Sequence, residues 1–501
     1  MTPALSRCSV RCEPSLSLCS AGPTPHLNPL PPRVRYYIHD QGAFNFSDVL
    51  SALHALMAGQ PMDLALPVGE AQHLSDIPIM AALERHPLRT WDADVADLHV
   101  IGALPYASHV LALVSGELVA HRRRMNALTA ALGALSPFIG RKKPLLLLHC
   151  AFSPQHMGAP LMNALGRGNL IVASCDPFFA RDLGKLSQSG VGAPFTHAYR
   201  RGVTIPFYPH SLAYDDGGGR SWTNGSSGGN RSGGDVGKSG GGGGEDHGAR
   251  SGLMFHGGVG RYDHGLRKSM LQLLEEVRRN RSVLVDTQTG EMTRGLNRSA
   301  YSRDSYARTA QSYRAASICM VPSGDHASSR RLFDAMSAGC VPVLVRLPFR
   351  LRSDRHTFAT SLPFPQSIDW RAVSLWLGPR SAERPADYWS WLCMRSIKDW
   401  LLRWHSQGAD LEAMRRNVRA TFRAYLDSNR NPEGIVLGLL REIEHRLKSC
   451  DRTLSRRASP FATNNSVDDP NICPYNDAAN VHWMYNRKMH GWCGLNRGCS
   501  R

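Results

Sequence analysis

The sequence predicts an α/β protein with two lobes, each built on a parallel sheet, followed by carboxy-terminal helices. Three observations support this prediction. Short apolar runs alternate with helix-like stretches in both halves of the chain, which is typical of buried parallel sheets covered on both faces. A glycine-rich segment, in which Gly240 to Gly244 are consecutive, separates the two halves. After Trp370 the pattern becomes purely helical.

The first half contains four runs with the composition of strands and two helix-like stretches between them. The predicted strands are Val34 to Ile38, Leu98 to Gly102, Pro144 to Cys150 and Leu170 to Ala173, and the predicted helices are Ser47 to Met57 and Ala120 to Leu135. Two lobes of this kind, joined by a linker, predict nucleotide-binding folds with a cleft between them.

The second half repeats the alternation. Its predicted strands are Gly252 to Phe255, Val283 to Val285, Ile318 to Val321 and Val341 to Val345, and its predicted helices are Arg267 to Arg279, Ala307 to Ala316 and Arg330 to Ala338. Three further helices are expected over Pro385 to His405, Leu411 to Leu426 and Glu433 to Leu447.

These patterns divide the chain into five regions. We expect a leader without stable structure, an amino-terminal lobe, a flexible glycine-rich insertion, a second lobe that includes the terminal helices, and a cysteine-containing tail. Their ranges are 1–32, 33–214, 215–252, 253–448 and 449–501. The insertion cannot bury enough apolar surface to offset its backbone entropy, so we expect it to be a linker.

The charge is strongly unbalanced. The 501 residues include 59 Lys and Arg against 41 Asp and Glu, which gives a net charge of +18. Such a surplus indicates an anionic partner or a background preference for arginine. A nucleic-acid-binding protein is disfavoured because no aromatic-basic RNA motif, zinc finger or helix-turn-helix pattern is present. No apolar run reaches the roughly 18–20 residues of a membrane-spanning helix.

Cysteine and aspartate patterns predict no metal site. Four of the 12 cysteines, Cys450, Cys473, Cys493 and Cys499, lie in the tail, which suggests a disulfide-stapled segment in an oxidising compartment. Their spacing matches no zinc pattern. Asp92 and Asp94 form an Asp-x-Asp triplet, but it precedes the strand at Leu98, where a turn or a helix cap is the favoured interpretation.

The segment from Ile318 to Val343 carries the clearest chemistry. It predicts a strand, a small polar loop at Ser323-Gly324-Asp325, a helix capped by Ser328 or Ser329, and a second strand. A helix amino terminus binds anions through its unpaired N–H groups and its dipole. Arg331 and Asp334 are three residues apart, and an arginine neutralises a diphosphate while a carboxylate accepts hydrogen bonds from ribose. The alternative is an ion pair on a solvated helix surface.

This segment resembles the exostosin-like glycosyltransferases, glycosyltransferase family 47, which includes heparan sulfate polymerases and plant xyloglucan and pectin transferases. Motifs similar to those of the family lie along the chain in the family's order. They are Arg89 to Leu98, Val203 to Pro206, Phe255 to Gly257, Pro322 to Asp325, Ser329 to Ala335, Gly339 to Val343, Leu362 to Phe364 and Ile368 to Trp370.

The resemblance implies a GT-B fold, with two Rossmann-like lobes and a nucleotide-sugar donor held mainly by the second. Carried over by position, the donor-binding residues are Gly257, Arg267, Ser323, Gly324, Asp325, Ser329, Arg331 and Asp334. We expect an inverting transferase that moves a sugar from a UDP-sugar to a cell-wall or matrix glycan. No metal or other cofactor is expected, because arginines and a helix dipole can stabilise the leaving UDP. The family also implies a Golgi lumenal location and assembly with itself or with related transferases.

Inversion requires a base in the first lobe that deprotonates the acceptor hydroxyl. Candidates at predicted strand ends are His149, Asp176 and His39. The family's aromatic Asp-His-Phe-Phe stretch is absent near residues 145–152, where Leu147-Leu148-His149-Cys150 stands instead. A non-catalytic glycan-binding or nucleotide-sugar-binding relative of the same fold is therefore the alternative hypothesis.

Overall fold

The computed structural model of the protein describes residues 31–135, 143–151, 154–175, 190–200, 202–214, 252–256, 273–279, 284–288, 303–321, 329–345, 362–377, 401–404, 406 and 408–457. The statements below concern these residues. Residues 1–30, nearly all of the glycine-rich insertion and residues 458–501 of the tail lie outside them.

The first lobe contains a five-stranded parallel sheet whose strands are adjacent in chain order. The strands are β1 (Tyr36–His39), β2 (Leu98–Ile101), β3 (Pro144–Leu148), β4 (Asn169–Ser174) and β5 (Val203–Thr204). All side chains of β2 and β3 are buried, as expected for a parallel sheet covered on both faces. The four strands predicted for this lobe are confirmed, and β5 adds an edge strand too short to be recognised from composition.

The second lobe contains another five-stranded parallel sheet, with a different winding. Its strands are β6 (Gly252–His256), β7 (Leu284–Gln288), β8 (Ala316–Val321), β9 (Val341–Val345) and β10 (Leu375–Leu377). Their spatial order is β10-β9-β8-β6-β7. The chain therefore moves from β6 to the edge strand β7 and then returns past β6 to form β8.

Helices connect these strands, and six of them correspond to helices predicted from the sequence. Most of the predicted helix Pro385 to His405, and the first part of the predicted helix Arg267 to Arg279, lie outside the described residues. In the first lobe they are α1 (Ser47–Met57), α2 (Met62–Ala65), α3 (Val68–Ala71), α4 (Asp76–Arg85), α5 (Pro105–Ser115), α6 (Leu118–Leu135), α7 (Gly158–Gly166) and α8 (Ala193–Arg200). In the rest of the chain they are α9 (Arg303–Ala315), α10 (Arg330–Ser337), α11 (Gly408–Tyr425) and α12 (Pro432–Arg457). The prediction of two α/β lobes with parallel sheets and carboxy-terminal helices is confirmed.

The last helix packs against the first lobe rather than only against the second. Helix α12 contacts α4 and β5. Near its start, Glu433 pairs with Arg85 of α4 at 2.9 Å. Further along, Glu444 accepts a hydrogen bond from the backbone N–H of Arg33 at 3.3 Å. The carboxy-terminal helices therefore hold the two lobes together.

Two disulfides lie inside the lobes, where the sequence patterns did not point to any. Cys150 is bonded to Cys175 in the first lobe, and Cys319 is bonded to Cys340 in the second. All four residues are buried at 0–1% exposure. The side chain of Cys450 and the other three tail cysteines lie outside the described residues, so the predicted tail staple stays a prediction. None of the described helices is long and apolar enough to cross a membrane.

Candidate functional site

The winding of the second sheet marks one edge as a ligand-binding edge. In parallel α/β sheets, ligands bind outside the carboxyl ends of the strands, at the point where the winding direction reverses. Here that point lies between β6 and β8, which end at His256 and Val321. In the sequence, Gly257 follows β6 directly, and Ser323, Gly324 and Asp325 come shortly after β8. These four predicted donor-binding residues, and Arg267, lie outside the described residues.

Ser329 caps the helix that begins at this edge. Its backbone is extended, and its Oγ accepts a hydrogen bond from the N–H of Arg331 at 3.4 Å. The predicted capping at Ser328 or Ser329 is confirmed for Ser329. At the other end of α10, Gly339 has a φ of +67°, which an L residue adopts only with strain. Helix α10, which contacts β8 and β9, therefore begins with a defined, capped amino terminus.

Arg331 places a guanidinium at this helix amino terminus. The side chain is half-buried, and its Nη1 donates to Ser329 Oγ at 3.4 Å. Its Nε is buried and has no hydrogen-bond partner among the described residues. A buried N–H without a partner is costly, and a guanidinium has five donors that match phosphate oxygens. Arg331 and the amino terminus of α10 together suit an anionic ligand.

Asp334 has a different partner from the one that its spacing suggested. Its Oδ2 accepts a hydrogen bond from Arg330 Nε at 3.2 Å, four residues earlier in the sequence, and not from Arg331. Asp334 is only 4% exposed, so the alternative of a solvated surface pair is wrong. Burial raises the pKa of this carboxyl group, and the charge of Arg330 offsets part of the rise.

The other carboxylate oxygen of Asp334 reaches the first lobe. Its Oδ1 accepts a hydrogen bond from the backbone N–H of His210 at 2.8 Å. Nearby, Asp63 Oδ2 accepts hydrogen bonds from the N–H and the Oγ of Ser211 at 2.8 and 2.9 Å. We call Asp63, His210, Ser211, Arg330 and Asp334 the lobe junction. Because both oxygens of Asp334 already accept protein hydrogen bonds, its role in ribose binding stays a prediction.

His210 is neutral inside the lobe junction. Its Nδ1 accepts a hydrogen bond from the N–H of Leu212 at 3.2 Å and lies 3.2 Å from Asp63 Oδ2. Burial and the charge of Arg330 lower the pKa of His210 to about 3. Burial also raises the pKa of Asp63. Burial thus disfavours the charged form of each group, so the contact between His210 and Asp63 is not an ion pair of the usual kind.

Two of the three candidate bases are engaged with other histidines. His149 follows β3 and is fully buried, and its Nε2 lies 3.1 Å from Nε2 of His156. Burial lowers the pKa of His149 to about 3. Nε2 of His39, at the end of β1, lies 3.0 Å from Nδ1 of His99. Burial lowers the pKa of His39 to about 4. Asp176 lies outside the described residues.

His149 belongs to a larger polar group that the sequence patterns did not reveal. The group lies at the carboxyl edge of the first sheet, and we call it the edge cluster. Its members are Glu70, His73, Asp76, Tyr106, His109, His121, His149 and His156. They come from five separate chain segments, so no single motif contains them. In the sequence, the polar residue Tyr106, which comes shortly after the predicted strand that became β2, could have indicated a polar group at this edge of the sheet.

The Asp-x-Asp triplet forms a turn. The N–H of Asp94 donates to Asp92 Oδ1 at 2.9 Å, and the N–H of Asp92 donates to Thr90 Oγ1 at 3.2 Å. The predicted turn is confirmed. Within the part of the chain that the structure describes, no three His, Cys, Asp or Glu side chains are grouped so that they could hold a metal ion.

A comparison with family models matches residues 247–387 to the Exostosin GT47 domain. This segment includes β6 to β10 and α10, and thus the second-lobe edge described above. The family resemblance drawn from the motifs is confirmed. Both lobes also have the all-parallel α/β construction that a GT-B fold requires.

Two curated proteins are similar to part of this chain. Exostosin-1 of Drosophila melanogaster is 30% identical over 129 residues, which is 24% of this chain and 15% of that protein. Probable arabinosyltransferase ARAD1 of Arabidopsis thaliana is 28% identical over 146 residues, 29% of this chain and 27% of that protein. The matches thus span a small part of either relative.

Among solved structures, the glycotransferase of kitacinnamycin is similar over 83% of this chain and 100% of its own, at 10% identity. The TM-score of this match is 0.29.

Proposed function

We propose that the chain is an inverting glycosyltransferase that transfers a sugar from a UDP-sugar to a cell-wall or matrix glycan. The observation that supports this most strongly is the half-buried Arg331 at the capped amino terminus of α10. It lies in the segment that matches the Exostosin GT47 domain, beside the reversal point of the sheet. A diphosphate bound there would gain both the arginine and the helix dipole.

The reaction would be a single in-line displacement. The acceptor oxygen attacks the anomeric carbon, and the bond from that carbon to the diphosphate oxygen breaks with its electron pair leaving on UDP. Arg331 and the N–H groups of α10 stabilise the charge that develops on UDP. Arg267 and the loop Ser323 to Asp325 are proposed to complete the donor site by family position.

The first experiment measures donor binding. Saturating UDP should raise the thermal unfolding midpoint of the wild-type protein, because a ligand that binds only the folded state stabilises it. Arg331→Gln should weaken UDP binding by about 10- to 100-fold, since a hydrogen bond to a charged group contributes about 1.5–3 kcal/mol. Arg308→Gln removes an exposed arginine of α9 in the same lobe and serves as the matched control. Equal UDP binding by all three proteins would refute the donor-site assignment.

The second experiment measures turnover. Purified protein is incubated with a panel of UDP-sugars, with and without candidate glycans, and released UDP is quantified. We expect release that depends on one donor and is not affected by EDTA. Complete loss on chelation would revive a metal role for Asp92 and Asp94. UDP binding without turnover on any acceptor would favour the non-catalytic alternative, which the pairing of His39 and His149 with other histidines also favours.

We further propose a Golgi lumenal location and assembly with itself or with related transferases. The disulfides Cys150–Cys175 and Cys319–Cys340 support an oxidising compartment. Mass spectrometry of the protein secreted from cells should recover both pairs as disulfide-linked peptides. Recovery of all four cysteines as free thiols would contradict the location.

A further inference from the structure

A carboxylate and a tyrosine form a close pair on the side of the edge cluster that faces solvent. The hydroxyl of Tyr106 donates to Glu70 Oε2 at 2.5 Å. Tyr106 is 7% exposed, whereas Glu70 in α3 is only half-buried. The negative charge of Glu70 also acts on His109, one turn beyond Tyr106 in α5. Glu70 is therefore held in place from the protein side and remains accessible from the solvent side.

A second carboxyl group lies behind this pair without a charged partner. Asp76, the first residue of α4, is fully buried, and its carboxylate meets only backbone N–H groups of its own helical turn, with no side-chain partner among the described residues. Burial raises the pKa of Tyr106, and the carboxylates of Glu70 and Asp76 add to the rise. Tyr106 therefore keeps its proton and donates a hydrogen bond to Glu70. A buried carboxyl group without a countercharge is costly, and such groups are concentrated at functional sites.

The chain segment that follows Glu70 packs through Phe207 against the second lobe. Two residues beyond Glu70, the carbonyl of Gln72 accepts a hydrogen bond from the N–H of Tyr208 at 3.0 Å. The ring of His73 lies 5.3 Å from that of Phe207, which lies 5.9 Å from that of Phe333. Phe333 belongs to α10, two residues after Arg331. Glu70 is thus connected through a short chain of contacts to the helix that is proposed to bind the donor.

We propose that Glu70 is the catalytic base of the transfer and that Tyr106 is its positioning residue. This inference rests on the proposed function. Glu70 takes the proton of the acceptor hydroxyl while the acceptor oxygen forms its bond to the anomeric carbon. The bond from that carbon to UDP breaks, and the electron pair leaves with UDP. The protonated carboxyl group then releases its proton to solvent, which its partial exposure permits.

The other described titratable groups of the edge cluster suit this role less well. His149 is fully buried, and its ring nitrogen faces His156 rather than solvent. Asp76 has no exposed surface, so an acceptor sugar has no access to it. His109 and His156 stack on each other with ring centroids 5.0 Å apart. Glu70 combines a held carboxylate with exposure, which a base that meets a large acceptor requires.

The test uses the full chain and four variants. Glu70→Gln removes the base while keeping the size and an acceptor for the Tyr106 hydroxyl, and Glu70→Asp keeps the carboxylate. Tyr106→Phe removes the positioning hydrogen bond. Glu84→Gln changes an exposed glutamate of α4 in the same lobe and is the matched control. UDP binding is measured by thermal shift, and kcat and KM are measured with the preferred donor and acceptor.

Glu70→Gln should lower kcat by about 10²- to 10⁴-fold, the usual contribution of a general base, with UDP binding unchanged. Glu70→Asp should restore part of kcat, and Tyr106→Phe should lower kcat more than it changes KM. Glu84→Gln should match the wild type. If the wild type is active and Glu70→Gln keeps its kcat within a few-fold, this inference alone is overturned. A wild type that binds no UDP and turns over no donor would overturn the proposed function and this inference with it.

Discussion

Asp334→Asn should destabilise the protein strongly, although the substitution changes only one charged group. The carboxylate accepts hydrogen bonds from the His210 N–H at 2.8 Å and from Arg330 Nε at 3.2 Å. The side chains of Arg330 and Asp334 are 8% and 6% exposed, so solvent screens their attraction little. Removing one member of a buried ion pair costs about 3–5 kcal/mol, because the remaining buried charge loses its hydrogen-bonded counterion.

Chemical and thermal unfolding, followed by tryptophan fluorescence, measure this loss. At about 2–4 °C per kcal/mol for a lobe of this size, the unfolding midpoint should fall by roughly 6–20 °C. The matched control is the double variant Arg330→Met with Asp334→Leu, which removes both charges and should be much less destabilised than the single variant. A change below about 1 kcal/mol in Asp334→Asn would refute the reasoning, because that is the value of an exposed pair.

The same experiment decides how donor-site mutants are interpreted. Loss of activity in Asp334→Asn would not by itself identify a ribose ligand, since the lobe junction is weakened at the same time. Arg331→Gln is the cleaner probe, because the Arg331 side chain makes its only described hydrogen bond to its neighbour Ser329. It should leave the unfolding midpoint of the ligand-free protein within about 2 °C of the wild type while reducing the stabilisation by UDP.

Three further predictions concern stability. Burial raises the pKa of Asp76 to about 8 in the folded protein, above its unfolded value, so the free energy of unfolding should fall as the pH rises from about 4 to about 8. Urea unfolding of Asp76→Asn should show a flatter pH dependence over this range, and an unchanged pH dependence would contradict the burial of this carboxyl group. The Cys319–Cys340 disulfide closes a 21-residue separation, so replacing both cysteines with serine should cost about 3 kcal/mol of unfolding free energy. Dithiothreitol should lower the unfolding free energy of the wild type by a similar amount and should have no such effect on the double variant. In Gly434→Ala the new Cβ would overlap the backbone carbonyl oxygen of Ala424, so we expect a loss of about 1–3 kcal/mol of unfolding free energy. A variant as stable as the wild type would show that α11 and α12 can move apart at this contact.

Much of the fold could be predicted from local patterns. The apolar runs at Pro144 to Cys150 and Val341 to Val345 became the buried strands β3 and β9, because a strand buried on both faces needs apolar side chains at every position. The Ser329 cap could also be predicted, since capping depends on residues within one helical turn. The strand order could not be predicted, because the apolar composition of β6 and β8 is the same whichever neighbours they pair with.

The candidate site also combines features that the sequence predicted with contacts that only the folded structure shows. Sequence motifs by themselves indicated the similarity of residues 247–387 to the Exostosin GT47 domain and the helix amino terminus that carries Arg331. Only the tertiary structure decided that Asp334 meets Arg330 and His210, and that Tyr106 meets Glu70. Spacing along a helix specifies neighbours three or four residues apart, whereas contacts between elements depend on how sheets and helices pack. The electrostatic role of a carboxylate depends on those contacts, so it could be established only after the chain was folded.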